Sequence, residues 1–174
     1  SDDYYEVDFL SRHVKKAEET DADVIISGFR RITSEGKVLR IYSPSSPQRY
    51  TKYSTMSSCN RIYRLDFLKR NKILFFENTF VEDTPFCLSI IAQGAEYGFI
   101  DYIGYNWLFN PVSFSSTKLK VGNEENTDKA VEMLEIFLDV GAIKLTNSPE
   151  FSYFMFKAIS HQLLRQGKQA SREG

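Results

Sequence analysis

The sequence predicts a mixed α/β fold in which a sheet is flanked by helices and a pair of amphipathic helices closes the chain. The first observation behind this prediction is an alternation along the chain. Short apolar and aromatic runs of strand length are interleaved with segments whose apolar residues recur every three or four positions. The second is that the closing segments show only the helical spacing.

The first half of the chain is predicted to hold a helix and a hairpin. In the helix Phe9, Leu10, Val14 and Ala17 share one face. The predicted segments that follow are a buried strand from Val24 to Ile32, a turn at Ser34–Lys37 and a returning strand at Val38–Tyr42. Ser43–Ser58 has two prolines and many hydroxyl groups, which predicts a loop long enough to be a lid or a binding segment.

The second half is predicted to continue the sheet and then become helical. Its expected elements are a strand at Asn60–Arg64, a short helix at Leu65–Lys72, a helix at Phe86–Ala95, an aromatic strand at Tyr97–Phe109 and a polar loop at Asn110–Asn126. Asp83 or Thr84 is expected to cap the second of these helices. The two closing helices are marked by Ala130, Val131, Leu134 and Leu138, and by Phe151, Phe154, Met155 and Ile159.

Composition excludes several classes of function. The chain has 174 residues, 22 basic and 23 acidic side chains and a formal net charge of −1, so no electrostatic grip on nucleic acid or on an anionic membrane is indicated. It has no apolar run of membrane-span length and no signal-peptide pattern, so we expect a cytoplasmic location. Two cysteines and two histidines (Cys59, Cys87, His13 and His161) form neither a disulfide framework nor a zinc-ligand pattern.

Two pairs of carboxylates are candidates for chemistry. Asp2 and Asp3 precede the first helix, where hard oxygen ligands suit Mg²⁺ or Mn²⁺ and where an aspartate also suits a helix cap. Glu82 and Asp83 begin a later helix, where one carboxylate could serve as a general base or where both could cap the helix and complement its dipole. Taken alone, each pair favours capping.

A third candidate is Asn60–Arg61, at the start of a predicted strand. Asparagine can orient a hydroxylated ligand and arginine can bind a phosphate with two hydrogen bonds. The alternative is an exposed strand with ordinary surface charge. The aromatic content of 14%, with 10 Tyr and 14 Phe, supports a further alternative, a noncatalytic carbohydrate-binding or protein-interaction module.

Taken in order, these segments resemble one family. The segments are S-D-D-Y-Y-E-V-D-F-L, A-D-V-I-I-S-G-F, C-N-R-I-Y-R-L-D-F-L-K-R-N-K-I, V-E-D-T-P-F, I-D-Y-I-G-Y-N-W and V-S-F-S-S. Together they resemble the second, acceptor-side half of the inverting, nucleotide-sugar-dependent glycosyltransferases of family 2, which have the GT-A fold. The resemblance covers about residues 1–117.

The resemblance implies roles for individual residues. Asp2 matches the end of the family's Asp-x-Asp motif and would ligate a divalent metal, Mg²⁺ or Mn²⁺, with Asp3 behind it. Asp83 matches the catalytic base that takes the proton of the acceptor hydroxyl, and Glu82 is its usual neighbour. The implied substrate-binding residues are Asn60, Arg61 and Trp107. Asp2 and Asp83 must then converge in space.

The resemblance also implies how the chain is organised. Residues 1–117 would form the acceptor-side part of the domain, 118–127 a linker and 128–174 a helical extension. The family's nucleotide-binding half would precede Ser1, and Leu108 and Asn110 stand where relatives often have basic residues. We therefore expect a glycosyltransferase fragment that is inactive alone. Its parent would use a nucleotide-sugar donor and a glycan or lipid-linked acceptor in surface polysaccharide synthesis at the inner face of the membrane. The apolar stripe of the last helix is expected to dock on the sheet, and a homodimer through exposed apolar surface is the alternative.

Overall fold

The computed structural model describes residues 2–44, 48–54, 56–75, 82–111, 135–136, 139, 145 and 147–170. The strands are β1 (Tyr4–Tyr5), β2 (Val24–Ile32), β3 (Val38–Tyr42), β4 (Arg61–Tyr63) and β5 (Tyr97–Leu108). The helices are α1 (Phe9–Thr20), α2 (Gln48–Ser54), α3 (Leu65–Arg70), α4 (Asp83–Ala92) and α5 (Pro149–Ala170). The strands form one mixed sheet flanked by helices, which confirms the predicted fold class.

The sheet is built around β2, which is parallel to β5 and antiparallel to both β3 and β4. The strand order is β1-β5-β2-β3, and β4 also pairs with β2. Because β4 pairs with Val24–Ile26 and β3 with Phe29–Ile32, these two strands lie end to end along the same edge of β2. The loop that enters β4 therefore reaches the middle of the sheet.

Helices cover the sheet on both faces. On one face, Val24 and Ile26 pack with Phe86, Cys87 and Ile90 of α4 in a buried apolar cluster. On the other, α1 brings Phe9 so close to β5 that a Cβ on Gly104 would lie 2.7 Å from the Phe9 ring. Because both faces of the sheet are covered at this point, the first residues of β2 form a nearly continuous apolar run.

In the described part of the chain, the last helix belongs to a buried cluster formed mostly with other helices, and Tyr97 of β5 also packs against that cluster. Phe151, Phe154 and Met155 are buried with Tyr53 of α2 and Leu88 of α4. Most of the stripe that suggested a homodimer is thus covered within the chain, and the Ile159 side chain lies outside the described residues. The exposed aromatic side chains of α5 are Tyr153 and Phe156, on its other side.

Two predictions about local structure need correction, and one strand was not predicted. The stretch Ser43–Ser58 contains the helix α2, whose Tyr53 is only 6% exposed because α5 covers it. Asp83 is the first residue of α4 and Glu82 occupies the cap position without a side-chain cap bond, so neither Asp83 nor Thr84 caps that helix. The strand β1 was not predicted, since it has only two residues and depends on pairing with β5.

Two predicted segments fall outside the described residues. They are the part of the first closing helix that holds Ala130, Val131, Leu134 and Leu138, and the linker at 118–127 together with the polar loop after residue 111. Residues 135, 136 and 139 of that helix are described and are helical. The predicted domain boundaries therefore stay predictions.

A buried histidine makes stability depend on pH. His13 is fully buried in α1, and its Nδ1–H donates to the Phe9 carbonyl at 2.6 Å, which leaves Nε2 without a partner among the described residues. Burial lowers the pKa of His13, and the bond to Phe9 only partly opposes this. Below about pH 6.5 the unfolded chain therefore binds a proton that the folded chain does not.

We expect the free energy of unfolding to fall as the pH drops below about 6.5, by at most about 1.4 kcal/mol per pH unit from this group. Urea unfolding between about pH 7.5 and 5.5 measures it, in a range above the titration of ordinary carboxylates. His13→Gln is expected to flatten the dependence. Equal pH slopes for the two proteins would contradict the assignment to His13.

Candidate functional site

Asp83 is held at the start of α4 by a hydrogen bond from a neighbouring loop. Ser58 Oγ donates to Asp83 Oδ1 at 2.5 Å, while Asp83 Oδ2 accepts no hydrogen bond from the described part of the chain. The Ser58 carbonyl in turn accepts the Tyr63 hydroxyl at 3.3 Å. Asp83 is half-buried and the neighbouring Glu82 is exposed. One carboxylate oxygen is thus fixed and the other is available to a ligand, as a general base requires.

The loop that holds Ser58 is anchored to the middle of the sheet. Asn60 is 1% exposed, and its Nδ2 donates to the Ser27 carbonyl of β2 at 2.6 Å. The Ser27 amide donates back to the Asn60 carbonyl at 3.0 Å. The Tyr5 hydroxyl donates to the Cys59 carbonyl at 3.0 Å. Asn60 therefore positions the loop, and only its buried Oδ1 has no partner in the described structure.

Asp3 closes the other end of the site. Its Oδ2 accepts the Tyr105 hydroxyl at 2.5 Å and its Oδ1 accepts the Leu108 amide at 2.8 Å. The rings of Tyr105 and Tyr5 lie 5.4 Å apart. Burial, followed by the hydrogen bond to Asp3, raises the pKa of Tyr105 well above its usual value, so its hydroxyl stays a donor.

These contacts join two predicted site segments that are far apart in the sequence. Asp3 contacts Tyr105, the Tyr105 ring lies beside Tyr5, and Tyr5 binds the loop whose Ser58 holds Asp83. Residues near 3, 58 and 83 therefore lie in one continuous network. The structure does not bring Glu82 into this network by any described hydrogen bond.

The other predicted site residues have different environments. Arg61 is only 4% exposed in β4, and its charge acts on the buried Cys87 and on the half-buried Tyr97, whose pKa values burial nevertheless raises. Its surroundings are thus those of the α4 core. Trp107 is half-buried on β5, directly before the residue whose amide binds Asp3.

The carboxylates predicted to bind a metal have different surroundings. Asp2 is exposed, and both oxygens of Asp3 already accept hydrogen bonds. Within the described ranges, no three His, Cys, Asp or Glu side chains are grouped so as to hold a metal. Mg²⁺ often uses one or two carboxylates together with substrate phosphates and water, and an exposed Asp2 supported by a fixed Asp3 fits that pattern. The metal site stays a prediction.

The two neighbouring aspartates are expected to differ in their contribution to stability. Asp3→Ala leaves the buried Tyr105 hydroxyl and the Leu108 amide without their acceptor, which should lower the free energy of unfolding by about 2 kcal/mol. Asp2→Ala, the matched control on an exposed side chain, should change it by less than about 0.5 kcal/mol. Urea denaturation of the two variants measures this. If Asp3→Ala lowers the free energy of unfolding no more than Asp2→Ala does, the structural role of Asp3 is contradicted.

Several residues of the network were not predicted. Ser58, Tyr5 and Tyr105 enter it through contacts between residues 25, 54 and 102 positions apart in the chain. The only local signal was the aromatic alternation of β5, which places Tyr105 and Trp107 on the same face.

The fold resembles that of a glycosyltransferase of known structure. The chain is similar in structure to part of TarS 1–349 from S. aureus, a glycosyltransferase. For the crystal structure of TarS 1–349 the TM-score is 0.51 at 17% identity, over 98% of this chain and 64% of that one. For the same protein in complex with UDP-GlcNAc it is 0.52 at 18% identity, over 90% and 53%. At this identity the likeness shows the fold alone.

The sequence itself matches no protein-family model and no curated protein. The chain spans 53% and 64% of the length of these two TarS chains. In the described part of the chain, no helix has the length and apolar character needed to cross a membrane.

Proposed function

We propose that this chain is the acceptor-side part of an inverting, nucleotide-sugar-dependent glycosyltransferase of family 2. The observation that carries the proposal is the network that links Asp3 through the Tyr5–Cys59 contact to Asp83. A glycosyltransferase needs a base on the acceptor side and a group for the diphosphate on the donor side, close together. The glycosyltransferase fold of TarS supports the same proposal.

In this proposal Asp83 is the general base. Its Oδ2 takes the proton of the acceptor hydroxyl while that oxygen attacks the anomeric carbon and the bond from that carbon to the diphosphate oxygen breaks. A single displacement of this kind inverts the anomeric centre. Ser58 positions the carboxylate through Oδ1, so that Oδ2 faces the acceptor.

The donor is proposed to be a UDP-sugar. TarS has been crystallised with UDP-GlcNAc, which makes this compound the first donor to test here. Asp2 would hold a divalent metal, Mg²⁺ or Mn²⁺, whose charge stabilises the leaving diphosphate when it is bound. Asp3 would keep the terminal segment in place through Tyr105 and Leu108.

The biological setting is part of the proposal. We place the enzyme in surface polysaccharide synthesis, in the cytoplasm at the inner face of the membrane, with a hydroxylated glycan or lipid-linked acceptor. Residues 118–127 and 128–174 would be a linker and a helical extension to the catalytic part.

The test is a transfer assay on the complete gene product that includes this chain. UDP release from UDP-GlcNAc is followed with Mn²⁺, with EDTA and with a panel of hydroxylated acceptors. Metal-dependent UDP release that an acceptor stimulates would support the proposal. If no nucleotide is released from any common nucleotide sugar, the proposal is contradicted and the noncatalytic carbohydrate-binding module is favoured.

A further inference from the structure

One face of the sheet beside the site has an unusual arrangement of side chains. Phe29 and Arg31 of β2 lie opposite Tyr42 and Arg40 of β3 in the strand register, and Arg31 also lies opposite Trp107 of β5. We call these five residues the arginine–aromatic face. The Tyr105 that binds Asp3 lies opposite Phe29 in the same register, so this face continues into the candidate site.

Two cations are placed directly opposite each other on this face. Arg31 and Arg40 are cross-strand partners, and side chains in that position have Cβ atoms about 5 Å apart. Like charges there destabilise a sheet. Neither arginine has an ion pair with a carboxylate in the described part of the chain. The adjacent Arg30 provides the contrast, because it binds Glu6 at 2.5 Å and Asn106 at 2.6 Å.

Both unpaired guanidinium groups are held by aromatic rings. The Arg31 Cζ lies 4.7 Å from the Trp107 ring centre and 4.4 Å from that of Phe109, and the Arg40 Cζ lies 4.7 Å from that of Tyr42. Stacking occupies the flat faces of a guanidinium and leaves its N–H groups along the edge to bind an anion. The rings also fix the side chains in advance, which lowers the entropy cost of binding.

Aromatic rings beside these cations suit a sugar. Tyr42 and Trp107 are half-buried, and Tyr42 is stacked on Phe29 with the ring centres 4.3 Å apart. Phe29 and the Arg40 guanidinium occupy the faces of the Tyr42 ring, so Trp107 is the ring whose exposed part can contact the C–H surface of a pyranose. The face therefore combines a site for one negative charge with a platform for a carbohydrate.

We infer that the arginine–aromatic face binds an acidic sugar residue of the acceptor, with its phosphate or carboxylate group between Arg31 and Arg40. The inference rests on the proposed function only in assigning this sugar to the acceptor, because binding of an anionic sugar is measured without any donor. Single-stranded nucleic acid also stacks on aromatic rings beside cations, but the net charge of −1 does not favour it.

Trp107 is the only tryptophan of the chain, so its fluorescence reports on this face directly. The full chain is titrated at constant ionic strength with glucose 6-phosphate, glucuronic acid and glucose, and with a short oligouridine. We expect at least one of the acidic sugars to change Trp107 emission with about tenfold higher affinity than glucose. The first two arms distinguish a phosphate ligand from a carboxylate ligand.

Two variants test the arginines. Arg31→Gln should weaken binding of the preferred acidic sugar about tenfold, whereas Lys15→Gln, which removes one positive charge from the exposed face of α1, should leave it unchanged. Arg40→Glu places opposite charges across the strands, so it should abolish binding while its thermal midpoint stays at or above that of the parent. Loss of binding cannot then be attributed to unfolding.

The outcomes separate this inference from the proposed function. Equal affinity for glucose and both acidic sugars, or unchanged binding in Arg31→Gln, would overturn the inference and leave the transfer assay unaffected. Tighter binding of oligouridine than of either acidic sugar would overturn it in favour of a nucleic-acid surface. If the gene product binds acidic sugars but has no transfer activity, the inference about the arginine–aromatic face is supported and the proposed glycosyltransferase function is contradicted.

Discussion

Asp83→Asn in the complete gene product is expected to lower kcat for sugar transfer by about 10³-fold, because general-base catalysis typically contributes 10²–10⁴-fold. The amide cannot take the proton from the acceptor hydroxyl. Its carbonyl oxygen can still accept the Ser58 hydroxyl in place of Oδ1, so the start of α4 should keep its structure. The measurement is the initial rate of UDP release with UDP-GlcNAc and acceptor, together with the KM for each.

The controls for Asp83 are its two neighbours. Glu82→Gln removes an exposed carboxylate one residue away, and we expect it to change kcat by less than about tenfold. Ser58→Ala removes the hydrogen bond to Oδ1 and a weak contact with Cys59 Sγ at 3.8 Å, and it should lower kcat by about tenfold through poorer positioning, with folding unchanged. If Glu82→Gln costs more than Asp83→Asn, the base has been assigned to the wrong carboxylate.

The elements that sequence reasoning located are those whose pattern repeats within one segment. The helix α1 and the hairpin of β2 and β3 were predicted because their apolar positions follow helix or strand periodicity and a turn lies between the strands. The strand β5 was predicted to within one residue of its carboxyl end. Periodicity is a local property, so neighbours in the chain are sufficient to reveal it.

The helix α2 illustrates what a local pattern misses. Its segment follows two prolines and is rich in hydroxyl side chains, which compete with the backbone for hydrogen bonds. Burial of Tyr53 against Phe154, roughly a hundred residues later, accompanies the helix in the fold. Stabilisation of that kind comes from tertiary packing, and the sequence of the segment alone contains no signal for it.

The sequence located the separate segments of the candidate site but not the contacts that join them in space. The aspartates at 3 and 83 were identified beforehand, yet their connection runs through Tyr105, Tyr5 and Ser58, which no motif marked. Arg31 and Arg40 lie in a predicted hairpin, but a register shift between Arg31 and Ile32 precedes the turn. Turn length alone would not have placed the two arginines opposite each other.

The middle of β2 should tolerate no side chain at position 28, and Gly28→Ala is expected to lower the free energy of unfolding by about 3 kcal/mol. A Cβ there would lie 2.6 Å from the Tyr42 carbonyl oxygen and 2.5 Å from the Ile103 Cδ1 atom. Ile103 could rotate away, whereas the Tyr42 carbonyl belongs to the backbone of β3. Relief therefore requires β3 to separate from β2, next to the Ser27 carbonyl that anchors Asn60.

Urea denaturation of Gly28→Ala is compared with two further variants. Gly36→Ala, at φ +81 but with open space around its Cβ, should lose only about 1 kcal/mol from backbone strain. Adding Ile103→Ala to Gly28→Ala should not restore stability, because the contact with the Tyr42 carbonyl remains. Full recovery in the double variant would show that the side chain of Ile103, and not the backbone of β3, limits position 28. Asn60 donates a hydrogen bond to the Ser27 carbonyl, next to position 28. The distortion of β2 in Gly28→Ala should therefore also loosen the loop that holds Ser58 against Asp83.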